Sequence, residues 1–195
     1  IYRGVRDVLE SSDLAFANLE FPVDAGLPAS DYPAFNSTRE YWQAAIDSGI
    51  RVFSLANNHA TDFGEESLLD TIGALTAVGI RTAGGGDDEA SARRPALLEI
   101  RGLRIAILAY DAIPGSLVAA AGAPGVAAAS PDAIREDVAA AKTAADIVIV
   151  SLHAGVEYQD APEPEQRALS RAAIDAGAAL VLGHHAHVLQ GWERY

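Results

Sequence analysis

Short apolar runs alternate with segments of helical periodicity along most of this 195-residue chain, and this alternation limits the fold more than any other feature. The runs are rich in Val, Ile, Leu and Ala, and several of the helical segments end at glycine. Strands that alternate with helices of about 10 to 15 residues are typical of an α/β fold, in which helices pack on the faces of a sheet. The predicted strands are Leu14–Leu19, Ile50–Leu55, Ala96–Ile100, Leu103–Tyr110, Ile147–Leu152 and Ala178–Leu182, and the predicted helices are Tyr2–Ser11, Thr38–Ser48, Glu65–Val78, Pro131–Ala145 and Pro164–Ala176.

Two neighbouring strands predict a sheet that is not purely parallel. Ala96–Ile100 and Leu103–Tyr110 are separated only by Arg101 and Gly102, which is typical of a hairpin. The stretch that follows, residues 111–129, is rich in Ala, Gly and Pro and has weak periodicity. A connection of this length either covers a functional site or is a solvated loop, and the sequence leaves both open.

Composition favours a single domain over residues 1–195 and excludes several functional classes. Half of the residues are apolar, which is enough for a sizeable core. The formal net charge is −13 and no basic run is present, so neither nucleic acid nor an anionic membrane surface is expected as a partner. The chain has no cysteine, which excludes disulfides and thiolate metal sites. No apolar run approaches the ~18 residues of a membrane span, so no membrane segment is expected.

All five histidines lie in three motifs, and each motif directly follows an apolar run. Histidines that served only packing would not collect at the ends of such runs. In α/β proteins the functional groups gather where strands run into loops. The pattern therefore indicates a metal site at these strand ends. The three motifs are Ser54–His59, Ser151–Gly155 and Gly183–His187.

Four strand ends carry side chains that suit a metal ion. Imidazole, carboxylate and carboxamide ligands together favour Mn, Fe or Zn and argue against a soft copper or iron–sulfur site. Two such ions side by side could activate water and polarise a substrate oxygen. The candidate residues are Asn18 and Glu20 at the first end, Asn57, Asn58, His59 and Asp62 at the second, His153 and Glu157 at the third, and His184, His185 and His187 at the fourth.

Each of these residues also has a purely structural interpretation. Glu20 could be a solvated strand end, Asn58 could serve a turn, and Asp62 could cap the following helix. His153 alone could be a hydrogen-bonded buried histidine. The two imidazoles in His185–His187 are the strongest indication, because side chains at i and i+2 after a buried strand contribute little to packing. Capping of backbone groups is the alternative for that pair.

Four stretches of the chain resemble the CapA-type proteins of poly-γ-glutamate capsule synthesis, a branch of the calcineurin-like metallophosphoesterase superfamily. Their order and spacing carry the resemblance, since Asn-His or His-x-His alone would be a weak signal. The resemblance implies a layered α/β/β/α fold with mixed sheets and a centre of two divalent metal ions (Mn, Fe or Zn). The stretches are Asp13–Glu20, Ser54–His59 with Asp62 and Gly64, His153–Gly155 with Glu157 and Tyr158, and Gly183–Gln190.

The resemblance also implies a role for each candidate residue. His59 takes the place of the acid–base or transition-state-stabilising histidine, and Asp62 orients it. Glu20 takes the place of an acid that bridges the two metals, and Asn58 ligates one of them through its side-chain oxygen. The remaining implied metal ligands are His153, His185 and His187. The residues implied to support the ligands or touch the substrate are Asn18, Asn57, Glu157, His184 and Gln190.

The chain departs from the family pattern at three places. The family opens with a strand that ends in Gly-Asp, and no counterpart stands before Asp13. It continues past the histidine pair into a strand that bears Ser-Leu-Gly-Asn, and this sequence stops at Tyr195. Ala186 stands where the family usually has proline, a change that removes no ligand. We therefore expect the domain to be truncated at both ends.

The function implied by the resemblance is a metal-dependent hydrolase that acts on a phosphoester or a γ-glutamyl polymer-related substrate in capsule synthesis. The expected partners are an anionic polymer or a small phosphorylated substrate, together with other capsule synthesis proteins. Two alternatives stay open, namely a metal-dependent peptide epimerase and a non-catalytic subunit of a polymer synthesis or export complex. The residues themselves indicate no compartment. The resemblance implies the bacterial cell envelope, with the cytoplasm as the other possibility.

Overall fold

The computed structural model describes residues 2–22 and 39–195, and in these residues strands and helices alternate as predicted. After a 3₁₀ turn at Tyr2–Gly4, the helices are α1 (Arg6–Ser11), α2 (Arg39–Asp47), α3 (Glu65–Ala77), α4 (Glu89–Ala92), α5 (Pro131–Ala144) and α6 (Pro164–Ala176). The strands are β1 (Ala15–Asn18), β2 (Ile50–Ser54), β3 (Arg81–Ala83), β4 (Gly85–Gly86), β5 (Ala96–Ile100), β6 (Leu103–Asp111), β7 (Gly125–Val126), β8 (Ile147–His153) and β9 (Leu180–His184).

The described strands form three sheets. Strands β1, β2 and β3 make a parallel sheet in that order. The larger sheet has the order β5-β6-β8-β9 and is mixed, because β5 and β6 form an antiparallel pair while β6, β8 and β9 run parallel. Strands β4 and β7 form a short antiparallel pair. The predicted hairpin is confirmed, with Ile100 opposite Leu103.

Three clusters of buried apolar side chains show how the layers stack. The first lies between the two larger sheets and joins Val52 of β2 to Ile107 of β6. The second packs α2 and α3 against the other face of the three-stranded sheet, where Leu68 is buried. The third packs α5 and α6 against the other face of the four-stranded sheet, where Leu169 is buried. The order of layers is helices, sheet, sheet, helices, so the α/β/β/α fold class is confirmed.

Local sequence signals account for the ends of the two long C-terminal helices. The Ser130 side chain accepts a hydrogen bond from the Ala133 N–H at 3.1 Å and caps α5, as predicted. Helix α6 begins at Pro164, whose fixed φ suits the first turn. It ends at Gly177, which takes the left-handed conformation with φ 107°. In the described ranges no helix is both long and apolar enough to cross a membrane.

Several predicted elements are wrong in detail. The last strand begins at Leu180 rather than Ala178 and includes His184, because pairing with β8 decides its extent. The predicted helix Tyr2–Ser11 is interrupted at Val5. Residues 111–129 are not a plain loop, since β7 and isolated bridges tie them to β4 and to Asp111. The start of the predicted helix at Thr38 lies outside the described residues.

Parallel pairing brings the motifs of the larger sheet to one edge. Asp111, His153 and His184 lie side by side at the carboxyl ends of β6, β8 and β9. In the three-stranded sheet, the smaller of the two stacked sheets, Asn18 pairs with Ser54 at the ends of β1 and β2. The loops that follow these strands therefore meet at a common edge of the two stacked sheets.

Candidate metal centre

The centre is built around the Nε2 atom of His153, at the end of β8. The Asn58 Oδ1 atom lies 3.0 Å from it, His185 Nδ1 lies at 3.2 Å, and Glu20 Oε1 lies at 3.5 Å. These neighbours come from the loops after β2, β9 and β1. One ring nitrogen carries at most one proton, so it cannot donate to three such atoms together. A cation among them would satisfy all four groups.

Burial makes the electrostatics of this cluster favourable to a cation. The His153 side chain is 1% exposed, and burial lowers its pKa to about 2, so the ring is neutral and offers a lone pair. Burial raises the pKa of Glu20, an effect opposed by the charges of His59 and His187 and by a hydrogen bond from Asn18. Within the described residues, Glu20 Oε1 is a buried atom without a hydrogen-bond partner. A partnerless carboxylate oxygen beside neutral imidazoles fits a divalent cation.

A second group of potential ligands adjoins the first and shares His185. Donor atoms of Glu157, His185 and His187 all lie within 4.8 Å of one another, as do those of Glu20, His153 and His185. The His187 Nε2 and Glu157 Oε1 atoms are 3.8 Å apart. This outer group is more exposed than the inner one. The resemblance implies only a supporting role for Glu157, whereas the structure brings it into ligand range, as its place among the candidate strand-end residues suggested.

The backbone at the histidine pair is in an unfavourable conformation. His185 has φ 89° and His187 has φ 54°, which lies in the region that favours glycine. Two imidazoles with such backbone angles are not placed by local preference. Residues held in sparsely populated backbone regions collect at functional sites, because the surrounding structure keeps them there. The observation supports a functional role for this turn over a merely capping one.

His59 and Asp62 form a dyad beside the inner group. The Nδ1 atom of His59 lies 2.9 Å from Asp62 Oδ2. The sequence left open that Asp62 caps α3, but the N-cap residue of that helix is Gly64, which makes no side-chain capping bond. The charge of His59 acts on Glu20 and on His153, which places the dyad in the same electrostatic environment. Asp62 therefore contacts the His59 ring and is not the N-cap residue of α3.

Asn57 and Asn18 link the loops of the smaller sheet. Asn57 is 1% exposed, and its side-chain N–H groups donate to Asn18 Oδ1 at 3.2 Å and to the Leu19 carbonyl at 2.9 Å. Its side-chain oxygen accepts from the His59 backbone N–H at 3.0 Å. Asn18 in turn donates to Glu20 Oε2. The two asparagines thus fix the positions of Glu20 and His59 relative to each other.

His184 and Gln190 lie outside both ligand groups. His184 ends β9, its ring packs 5.9 Å from the Phe16 ring, and burial lowers its pKa. Gln190 accepts a hydrogen bond from the Gln166 side chain at 3.2 Å and donates to the Gln159 carbonyl at 2.9 Å. Gln190 therefore joins the loops after β8 and β9.

Asp111 lies beside the candidate centre, and sequence reasoning missed it. It ends β6 directly beside His153, and its side chain is buried. Burial raises its pKa to about 6, opposed by the hydrogen bond from the Ile113 backbone N–H and by the charge of His59. It stands outside any motif, so only its position could have revealed it. It is the polar residue that directly follows the predicted strand Leu103–Tyr110, and only the structure places it beside His153.

An open cleft of about 1440 Å³ borders the centre. Glu20, His185 and His187 line it. Arg167 and Arg171 of α6 line it as well. Of these two, Arg171 is paired with Glu193 at 2.6 Å, and Arg167 offers positive charge in a chain whose formal net charge is −13.

Known proteins resemble this chain in sequence over most or all of its length. A capsule biosynthesis protein CapA from Bacillus anthracis is 33% identical over 205 residues, which cover 100% of this chain and 50% of that protein. A probable polyglutamine synthesis accessory protein from Mycobacterium tuberculosis is 39% identical over 189 residues, which cover 91% of this chain and 47% of that protein. The chain thus spans about half the length of these curated relatives.

The fold also occurs in a solved structure. A crystal structure of a hypothetical protein from Thermus thermophilus matches with a TM-score of 0.58 and 20% identity, over 94% of this chain and 60% of that one. At this identity the likeness concerns the fold alone. The family model described as bacterial capsule synthesis protein PGA_cap matches residues 1–195. With a match over its whole length and relatives above 30% identity, the chain belongs to the PGA_cap family of bacterial capsule synthesis proteins.

Proposed function

We propose that this chain is a metal-dependent hydrolase domain that works in the synthesis of capsule poly-γ-glutamate. The observation that carries the proposal is the cluster at His153 Nε2, where donor atoms of Asn58, His185 and Glu20 lie within 3.5 Å. They come from both sheets and from loops far apart in sequence. The role in capsule synthesis is supported by the names of the relatives, which include a capsule biosynthesis protein.

The two ligand groups would hold two divalent cations. Glu20, Asn58 and His153 would hold one ion and Glu157 and His187 the other, and His185 belongs to both groups of donors. Mn, Fe and Zn all suit such a mixed set of oxygen and nitrogen ligands. The ions would supply an activated water and a positive charge for a phosphoryl or carbonyl oxygen of the substrate.

His59 is the residue that would move a proton. An ionised carboxylate only accepts hydrogen bonds, so the contact with Asp62 Oδ2 places a proton on His59 Nδ1. The other ring nitrogen, Nε2, then serves for exchange with the substrate. A protonated His59 would donate to the leaving group and stabilise negative charge that develops there. Asp62 holds the ring in the required tautomer and orientation.

The chemistry of the cleft favours an anionic substrate. Arg167 lines the cleft that Glu20, His185 and His187 also border, and Arg171, which is paired with Glu193, lies there too. A phosphoester or a γ-glutamyl chain would bring negative charge to these groups, and the rest of the surface would repel it. We include other capsule synthesis proteins as partners, since one relative is named as a synthesis accessory protein.

The proposal is tested by metal content and turnover together. Purified protein is stripped with chelator, reloaded with Mn, Fe or Zn, and assayed on a model phosphoester and on γ-glutamyl peptides. We expect turnover with at least one metal, and the His59→Ala change should lower kcat by about 10²- to 10⁴-fold. Asp62→Asn should lower kcat with little change in metal content. Full metal occupancy without turnover on any substrate would contradict hydrolysis.

A non-catalytic role is the second candidate, and the accessory-protein name of the Mycobacterium tuberculosis relative favours it. In that case the centre would stabilise a subunit of a synthesis or export complex. The two roles differ in cells that carry His59→Ala, because we assign this side chain to proton transfer and not to the ligands of the ions. Normal polymer production in those cells would support the non-catalytic role, and loss of polymer with a normally folded variant would support catalysis.

A further inference from the structure

Asp111 and His153 are neighbours whose side chains point to the same face of the larger sheet. They pair in parallel register at the ends of β6 and β8, and the Ala112 N–H donates to the His153 carbonyl at 2.9 Å. Paired residues of adjacent strands share a face, and successive residues of one strand alternate between faces. Ala109 belongs to the cluster between the sheets, whereas Tyr110 belongs to the cluster under α5 and α6. Asp111 therefore faces inward, like Ala109 and like His153.

Both side chains carry an unsatisfied polar atom. Asp111 is 4% exposed and His153 is 1% exposed. In the described part of the chain, Asp111 Oδ2 and His153 Nδ1 are buried without a hydrogen-bond partner. The other carboxylate oxygen, Oδ1, accepts from the Ile113 N–H at 3.1 Å. Buried polar groups almost always find partners, so two orphaned atoms on adjacent strands require an explanation.

The orientation of His153 indicates a role for its Nδ1 atom. Its Nε2 atom faces Asn58, His185 and Glu20, so a cation would bind through Nε2. A neutral imidazole that gives Nε2 to a metal carries its proton on Nδ1. Metal-binding histidines nearly always donate that N–H to a carboxylate, a backbone carbonyl or water. Asp111 Oδ2 is a buried acceptor of this kind on the neighbouring strand.

We propose that Asp111 is a positioning residue of the metal centre, whose Oδ2 atom accepts a hydrogen bond from His153 Nδ1–H when a cation is bound through Nε2. The contact would fix the tautomer and the ring orientation of His153. It would also give both Asp111 Oδ2 and His153 Nδ1 a hydrogen-bond partner. This inference rests on the proposed metal-binding function and adds to it a residue that makes no direct bond to the ion.

Zinc titration by calorimetry, on the full chain stripped of metal, gives the first test. We expect Asp111→Ala to weaken zinc binding by about 10- to 100-fold, the usual effect of losing such a partner. Asp111→Asn keeps an acceptor oxygen and should recover part of the affinity. Ser151→Ala is the matched control, because Ser151 lies on the same face two residues before His153 and its Oγ atom is likewise buried without a partner in the described residues. This control should bind zinc like the unchanged protein.

Nitrogen-15 NMR of labelled histidines gives a readout that a general packing defect would not move. In the zinc-loaded protein we expect His153 to be protonated at Nδ1, with a slowly exchanging N–H signal that is shifted or lost in Asp111→Ala. A His153 protonated at Nε2 would overturn the inference, as would equal zinc affinity of Asp111→Ala and the unchanged protein. An equal loss in Ser151→Ala would also overturn it. If the unchanged protein bound no cation, the proposed metal-dependent function itself would be contradicted. If the unchanged protein bound zinc and Asp111→Ala bound it equally well, only the role of Asp111 would be contradicted.

Discussion

At the scale of single residues, the turn that carries the histidine pair is kept against its own backbone preference. His185 has φ 89°, where a side chain with a Cβ costs about 1–2 kcal/mol. His184, one residue earlier, ends β9 with ordinary strand geometry. The imidazole at position 185 is therefore present in spite of the local conformation. At this position its Nδ1 atom lies 3.2 Å from His153 Nε2.

Alanine variants are usually more stable than glycine variants, and the strain at His185 predicts the reverse order of stability at this position. In metal-free protein, His185→Gly should have a free energy of unfolding about 1 kcal/mol higher than His185→Ala, because glycine accepts a positive φ. At His184 the same pair of changes should show the opposite order, since glycine weakens a strand. Chemical denaturation in the presence of chelator measures all four variants. Equal stability of the two position-185 variants would mean that the turn relaxes.

Individual candidate residues were predictable to the extent that they stood in motifs. The histidines and Asn58 became candidates because they follow apolar runs in a recognisable order, and the structure brings several of them together. Asp111 could not, because one aspartate at the end of a strand has no local signature. Its proposed role depends on pairing with His153, which is 42 positions away in the chain and becomes a neighbour only through sheet formation.

At the scale of elements, Gln166 joins three segments beside the centre. Its side-chain N–H groups donate to the Ala154 carbonyl and to Gln190, and its Oε1 accepts from the Glu163 N–H at the start of α6. Gly155 packs directly against this side chain. A Cβ at Gly155 would overlap the side-chain amide of Gln166, so any larger residue would displace that side chain from all three contacts.

We predict that Gly155→Ala lowers the free energy of unfolding by about 2 kcal/mol. The change combines a positive φ of 103° with loss of hydrogen bonds at Gln166. Gly73→Ala is the matched control, because Gly73 lies in α3 with open space around it. Alanine there should stabilise by about 0.5–1 kcal/mol. Urea unfolding of the metal-free variants checks both values. An unchanged free energy of unfolding in Gly155→Ala would show that the hydrogen bonds of Gln166 do not contribute to stability.

The long elements could be predicted from the sequence, but the short ones could not. Helix α6 and the β5–β6 hairpin have the predicted extents to within one residue, because periodicity, proline and glycine mark their ends. Strands β4 and β7 have two residues each, and β4 consists of two glycines. Such segments have no measurable period, and only their pairing across the fold makes them strands.

At the scale of the whole molecule, the candidate centre connects the two stacked sheets. Glu20 and Asn58 follow β1 and β2 of the three-stranded sheet, whereas His153 ends β8 and His185 follows β9 of the four-stranded sheet. A bound cation would therefore hold the layers together at their shared edge. It would also reduce the repulsion within a chain of formal net charge −13.

This arrangement predicts a large thermal effect of metal loading. At a free metal concentration about 100-fold above Kd, binding adds about 2.7 kcal/mol, which for a chain of this size raises Tm by about 5–10 °C. Differential scanning calorimetry with manganese or zinc, against a chelated sample, measures the shift. His153→Ala should abolish it, and Arg135→Ala on the exposed side of α5 should leave it intact. The same Tm in the loaded and chelated samples would exclude a cation between the sheets.

The long separation of the donor groups along the chain has a consequence for biosynthesis. Asn58 and His153 are 95 positions apart, and His185 follows another 32 positions later. A polypeptide still emerging from the ribosome has only part of this set and cannot retain an ion there. Metal uptake would thereby be delayed until translation has passed His185 and the tertiary contacts have formed, and the finished architecture would select the ion.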